Sequence, residues 1–318
     1  MTNFQVYRKT LSFSFIMFLT ELLALLVFLG CCVAGFFIFT SMPLIGLLIG
    51  FIVGLLAIIP INIFLVNRVK AAQIAMMTKG VNEDALPDHT FKEGFNEIRG
   101  RFGSITVFFL ITRAIKGIFQ QIGRSINRIG TAIGGDVGNG VTSAIDSAIQ
   151  TVIGYLCDCC LGWVLFRKDE NPFKAGCEGA VIFFKHGKTL VRNIGRIFGM
   201  SFLFFILIGG AFFGIFFLIF SAIPNMFTTL SQEIAGTGSD APEFLANSTI
   251  FIIVAAAFGG IVMWGILHSI LVRPFILVGV LRNFMAAGKA NVPNPKDFTE
   301  LENKYPKFAK LYQKAESN

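Results

Sequence analysis

Two carboxylates and an imidazole, Glu21, Asp158 and His268, stand among apolar residues where an unpaired charge is costly. Glu21 lies about 13 Å along a regular helix from Ser12, well inside an apolar run. Acids in that position mark proton or cation routes; the plainer reading is a glutamate kept neutral by burial or paired for packing. Convergence of the three would make a proton relay. His268 is close to Arg273-Pro274, so it can equally reach a headgroup layer. Asn62 beside Pro60 is a weaker lead, since a proline frees a backbone carbonyl.

Other reactive groups point away from catalysis. Cys157, Cys159, Cys160 and Cys177 bring four thiols into one stretch, but their spacing matches no zinc pattern, so no metal is expected and the thiols should be reduced. Gly187-Lys188-Thr189 lacks the upstream glycine of a phosphate loop, Ile182 standing in its place. Hydrolase elbow, two-histidine zinc helix, dinucleotide fingerprint and kinase set are all missing, and the chain reads as a non-enzyme without a cofactor.

The elements that must position these residues belong in lipid. Of 318 residues 54% are hydrophobic and 14% charged, with a mean hydropathy of +0.70. A soluble domain has no use for so much apolar surface. Runs such as Phe212-Phe213-Gly214-Ile215-Phe216-Phe217 are apolar on every face. The reading is an all-α, polytopic membrane protein with four to six transmembrane helices and basic amphipathic interfacial helices. Four segments reach the roughly 20 residues that a bilayer requires: 12–39, 44–66, 197–223 and 248–272. The first two form an N-terminal hairpin (1–66) through Thr40-Ser41-Met42-Pro43, the last two a C-terminal pair (197–285), followed by a polar tail (286–318).

Lysine and arginine set the orientation. Two precede the first span, 17 lie in 67–196 and 8 follow from Arg273, whereas loop 224–247 carries only the acids Glu233, Asp240 and Glu243. The positive-inside rule therefore predicts a multi-pass protein of the cell membrane with both termini cytoplasmic. The net charge of +8 is spread beside apolar spans, which favours anionic lipid headgroups over nucleic acid as partner.

The middle region, 67–196, holds the amphipathic elements. Residues 70–101 read as a solvated connector of helix, loop and helix. In 103–133, Ile111, Ile115, Ile118, Ile122, Ile126, Ile129 and Ile133 form one stripe opposite Arg113, Lys116, Arg124 and Arg128. This suits a helix lying in the headgroup layer, with isoleucines in the acyl boundary and cations on lipid phosphates. The sharper alternative crosses the membrane, and 141–166, with Asp146 and Asp158, could cross or re-enter with it. The stretch 172–196 reads as another interfacial helix. Gly46, Gly50 and Gly54, and likewise Gly210 and Gly214, recur every fourth residue and predict close helix packing, within the chain or in a homo-oligomer.

Gly103 to Arg128, Cys157-Asp158-Cys159-Cys160, Asn171-Pro172-Phe173 and Arg192-Asn193 occur in an order that resembles the pore-forming half of choline transporter-like proteins. That resemblance covers roughly 101–285 and implies a transport route. The chain departs from the family in length, in lacking the large outer domain, and in having Arg273-Pro274 where the family's last span is acidic. Choline is therefore not carried over, and an uncharacterised prokaryotic membrane family is an equal alternative. Two functions remain expected: a small permease or lipid-handling protein moving a polar solute or lipid, or a membrane scaffold that holds anionic lipid or protein partners through its basic helices.

Overall fold

The computed structural model describes residues 1–39, 43–103, 105–134, 139–192, 201–223 and 248–317, with 199 and 228; of these, the side chains of 43, 44, 63, 64, 105, 106, 122–134, 139–149 and 187–192 are not described. Among the described residues every regular element is helical. They are α1 (Asn3–Lys9), α2 (Leu11–Ile38), α3 (Pro43–Ile61), α4 (Asn67–Asn82), α5 (Thr90–Phe102), α6 (Ile105–Gly134), α7 (Asn139–Phe166) and α8 (Pro172–Arg192). Then come α9 (Ser201–Ser221), α10 (Ser248–Leu267), α11 (Arg273–Ala290), α12 (Pro295–Lys304) and α13 (Pro306–Glu316). Among the described residues three helices are long and apolar enough to cross a membrane: Leu11–Ile38, Ser201–Ser221 and Ser248–Ala290, with Ile45–Ile61 as a shorter apolar helix. Two units result, Met1–Ile194 with Pro274–Asn318, and Gly195–Arg273.

In the first unit, α2 and α3 pair so closely that there is no room for side chains between them. A Cβ on Gly46 would collide with the carbonyl oxygen of Gly35, one on Gly50 with that of Cys31, and one on Gly54 would come 2.8 Å from the Phe28 ring. The expected end of α3 at Val66 is not an end. Pro60 cannot donate to the helical ladder, and a wide turn over Asn62–Val66 absorbs the disruption and passes straight into α4.

Burial reverses along that continuous helix. Leu47, Leu48, Ile52, Leu56 and Leu65 are exposed, whereas Val69 and every residue from Ala71 to Thr78 are buried. The helix, loop and helix expected over 70–101 are present, and residues 83–85, 88 and 89 between them are exposed, but the first helix is not solvated: α4 is a core helix, packed on α5 and α7, whose alanines and methionines let neighbours approach. The expectation for α6 also changes. Ile111, Ile115 and Ile118 are at most 2% exposed and pack with Phe119 against protein, as does α8 through Ala180, Val181 and Ile182. Neither helix leaves these residues to lipid, because the bundle covers an amphipathic stripe as well as a bilayer would. The second half of α7 is buried in the same way, at Leu156, Cys159, Cys160, Trp163 and Val164. The polar tail is folded too, since Phe298, Leu301, Tyr305, Phe308 and Leu311 are buried and hold α12 and α13 on α8 and α6.

In the second unit, α9 and α10 meet where Gly260 approaches the Gly209 carbonyl, a Cβ there lying 3.0 Å from it. Gly210 and Gly214 have nothing within 4 Å, so the close contact falls on Gly209 and Gly260 instead of the predicted pair. Loop 224–247 apart from residue 228, the turn at 40–42 and residues 135–138 lie outside the described residues, as do the side chains of Arg124, Arg128, Asp146 and the last four isoleucines of the stripe.

Candidate functional site

The first unit is pinned by buried polar groups that composition gives no reason to notice. Gln73 of α4, 2% exposed, donates to the Thr10 carbonyl at 3.3 Å and to Ser14 Oγ at 2.9 Å, fastening the base of α2 to the bundle. Glu178 of α8, 3% exposed, accepts from Trp163 Nε1 at 2.9 Å and from Arg167 Nε at 3.2 Å. Arg167 also meets Asp169 and Glu170, so one buried carboxylate anchors the α7–α8 corner. Beside it Cys160 Sγ donates to the Gly176 carbonyl. Burial pushes the Cys177 thiol up, which leaves it protonated and inert.

Asp158 belongs to the same class of contact. Its carboxylate, 8% exposed, lies 2.7 Å from Lys70 Nζ and ties α7 to α4. Glu21 is half-buried on α2, with no hydrogen bond or ion pair among the described residues, and no contact joins it to Asp158. His268 lies in the second unit, where its Nε2 is 3.3 Å from Ser201 Oγ and its ring 5.1 Å from that of Trp264. Glu21 and Asp158 are therefore not brought together, and Asp158 already has a counter-ion. Among the described residues, no group of three or more His, Cys, Asp or Glu is placed to hold a metal.

A different constellation forms on the outside of the bundle. Because the isoleucines of α6 point inward, Arg113 and Lys116 point outward. Helix α13 starts at Pro306, a residue suited to the first helical turn, and buries Phe308 and Leu311 while Lys307, Lys310 and Lys314 stay exposed. The Lys307 backbone N–H donates to Gln121 Oε1 at 3.2 Å, across 186 residues of chain. Between the helices runs a groove of about 660 Å³ with Leu110, Phe173 and Leu311 as its apolar surface and Arg113, Lys116, Lys307, Lys310 and Lys314 around it. Lys314 Nζ lies over the Phe173 ring at 4.9 Å. Among the described residues no carboxylate lines the groove.

Arg113, Lys116, Lys307 and Lys310 gathered beside Lys314 repel one another, and an anion in the groove relieves that repulsion. Clustered cations beside an apolar surface can bind anions. Arg113 and Lys116 were legible as cations on a helix face. Lys307, Lys310 and Lys314 were not, although their spacing of three and four puts them on one face of a helix; nothing local links the tail to α6. No family model matches the chain, and no curated protein or solved structure matches it either.

Proposed function

We propose that this is a multi-pass integral membrane protein acting as a non-catalytic scaffold, whose helical bundle binds anionic lipid headgroups on the cytoplasmic face. The groove carries the reading: five cations, no carboxylate and an apolar floor fit phosphate with adjoining hydrocarbon. The reversal of burial along α3 and α4 supports a boundary between lipid and water near Val66. With α2 and α3 as a membrane hairpin and the helices of the second unit as a pair, four spans suffice, because the apolar residues in the second half of α7, from Ile153 to Leu165, are covered by protein. The glycine face of α3 is used inside the chain, which leaves it unavailable to a second copy.

The test is a titration of the full-length protein in detergent with short-chain phosphatidylglycerol and, separately, phosphatidylcholine. Tighter binding of the anionic lipid, falling steeply with salt and lost in the Lys116→Gln/Lys307→Gln/Lys310→Gln variant, supports the proposal. Equal binding of both lipids, or an unaffected variant, removes the groove from the function. Topology has its own check: Asn127→Cys and Asn139→Cys, in a background lacking Cys31, Cys32 and Cys157, should react with an impermeant thiol reagent only after permeabilisation.

One observation favours a second reading, a permease. Glu21 sits half-buried in an apolar helix without a partner among the described residues, as a proton or cation site would. Solute or lipid flux in reconstituted vesicles that Glu21→Gln abolishes without loss of folding would favour it over the scaffold.

A further inference from the structure

A second cleft, of about 590 Å³, lies where α5 turns into α6. The turn is abrupt, 84° between the two helix axes, and Gly103 makes it possible by adopting φ +61°, which residues with a Cβ resist. Phe102 and Phe108 close the floor, both 4% exposed and in edge contact at 5.3 Å, and Phe95 forms a wall. Arg68 and Arg99 line the same cleft, and neither guanidinium has a hydrogen bond or ion pair among the described residues. Among the described residues no carboxylate lines it.

We infer that this cleft is a binding site for a single anionic phospholipid, its phosphate held by Arg68 and Arg99 and the start of an acyl chain laid against Phe95, Phe102 and Phe108. Two guanidinium forks match phosphate oxygens in geometry and charge. A free phosphate would leave the partly exposed Phe95 ring uncovered, whereas hydrocarbon removes that ring from water. Position selects a membrane lipid: Arg68 follows directly on the wide turn Asn62–Val66 that ends the exposed apolar helix, which is the depth of headgroups when α2 and α3 cross the bilayer. The inference rests on that membrane placement but not on the α6–α13 groove, which uses other residues.

Full-length protein in detergent is titrated with dihexanoyl phosphatidic acid, dihexanoyl phosphatidylcholine and inorganic phosphate, with melting temperature recorded for each variant. The acidic lipid should bind best, and Arg68→Gln/Arg99→Gln should weaken it about tenfold or more at unchanged melting temperature, since charge-assisted bonds to phosphate are lost. Phe95→Ala should weaken the lipid but not phosphate. Should the double variant melt early, Arg68→Lys and Arg99→Lys, which keep charge but lose the fork, replace it and should each weaken binding in part. The Lys116→Gln/Lys310→Gln variant should bind the acidic lipid at this site as tightly as the native protein, which separates failure here from failure of the groove. Native affinity in the arginine variants, or inorganic phosphate competing as well as the lipid, overturns the assignment.

Discussion

The hairpin α2–α3 and the bundle of α4 to α8 are built from one continuous chain, yet they are held by opposite means. The hairpin buries almost no polar side chain and relies on backbone meeting backbone at Gly35, Gly46 and Gly50, while its leucines and isoleucines face outward. The bundle turns its apolar residues inward and places a few paired polar groups among them: Gln73, Asp158 and Glu178. On the proposed membrane placement the difference is one of solvent. In lipid an outward leucine costs nothing and close backbone contact supplies the attraction; in water apolar burial drives packing, and any buried polar group must find a partner.

That contrast can be broken at several points. The largest loss should follow Glu178→Ala, which leaves the buried Trp163 N–H without an acceptor and takes one of three carboxylates from Arg167; about 3 kcal/mol is expected by thermal or denaturant unfolding of the full chain. Glu178→Gln keeps an acceptor for Trp163 and should cost clearly less. Next is Lys70→Met, expected to cost about 2–3 kcal/mol because Asp158 is left charged and buried, discounted for the partly exposed lysine. Adding Asp158→Leu should recover most of it; no recovery would mean that Asp158 has a role beyond the pair.

A third prediction compares glycines. Gly50→Leu must force α2 and α3 apart and should cost about 2 kcal/mol, whereas Gly214→Leu meets open space and should leave stability unchanged. Equal effects would end the claim that backbone contact holds the hairpin. The smallest effect is on pH. The Lys185 amine hydrogen-bonding to Asp297, helped by the Asn294 amide, holds that carboxyl below the ordinary carboxylate range. A folded-state value lowered in this way stabilises the protein above the unfolded value of about 3.9, and the contribution is lost as pH falls through the lower folded value. Because the pair is on the surface, only about 0.3 kcal/mol is expected, seen as earlier loss of α12 protection in hydrogen exchange on acidification and absent in Asp297→Asn.

Much of this was legible in the residues and some was not, for reasons that differ by element. Residues 12–39 were readable as one long apolar helix because their nearly unbroken apolar character gives no signal to stop it, and the helix Leu11–Ile38 has the length and composition to cross a membrane. Helix α4 was read as solvated because its alanines, methionines and Gln73 give little local signal; what makes it core is that α5 and α7 close over it. Asp158 looked like a transport carboxylate until Lys70, 88 positions earlier in the chain, was found beside it.

The sequence by itself determined the helical class, the apolar segments and the sharp asymmetry of basic charge, because these depend on length, period and composition alone. Tertiary structure decided what covers the amphipathic faces and which charges meet. An isoleucine stripe is satisfied equally by acyl chains or by a neighbouring helix, so its pattern cannot choose between them; only packing of α7, α8 and α13 against α6 does. The same packing brings Lys307 and Lys310 to Arg113 and Lys116, a meeting of like charges that no local preference favours and that the burial of Phe308 and Leu311 enforces.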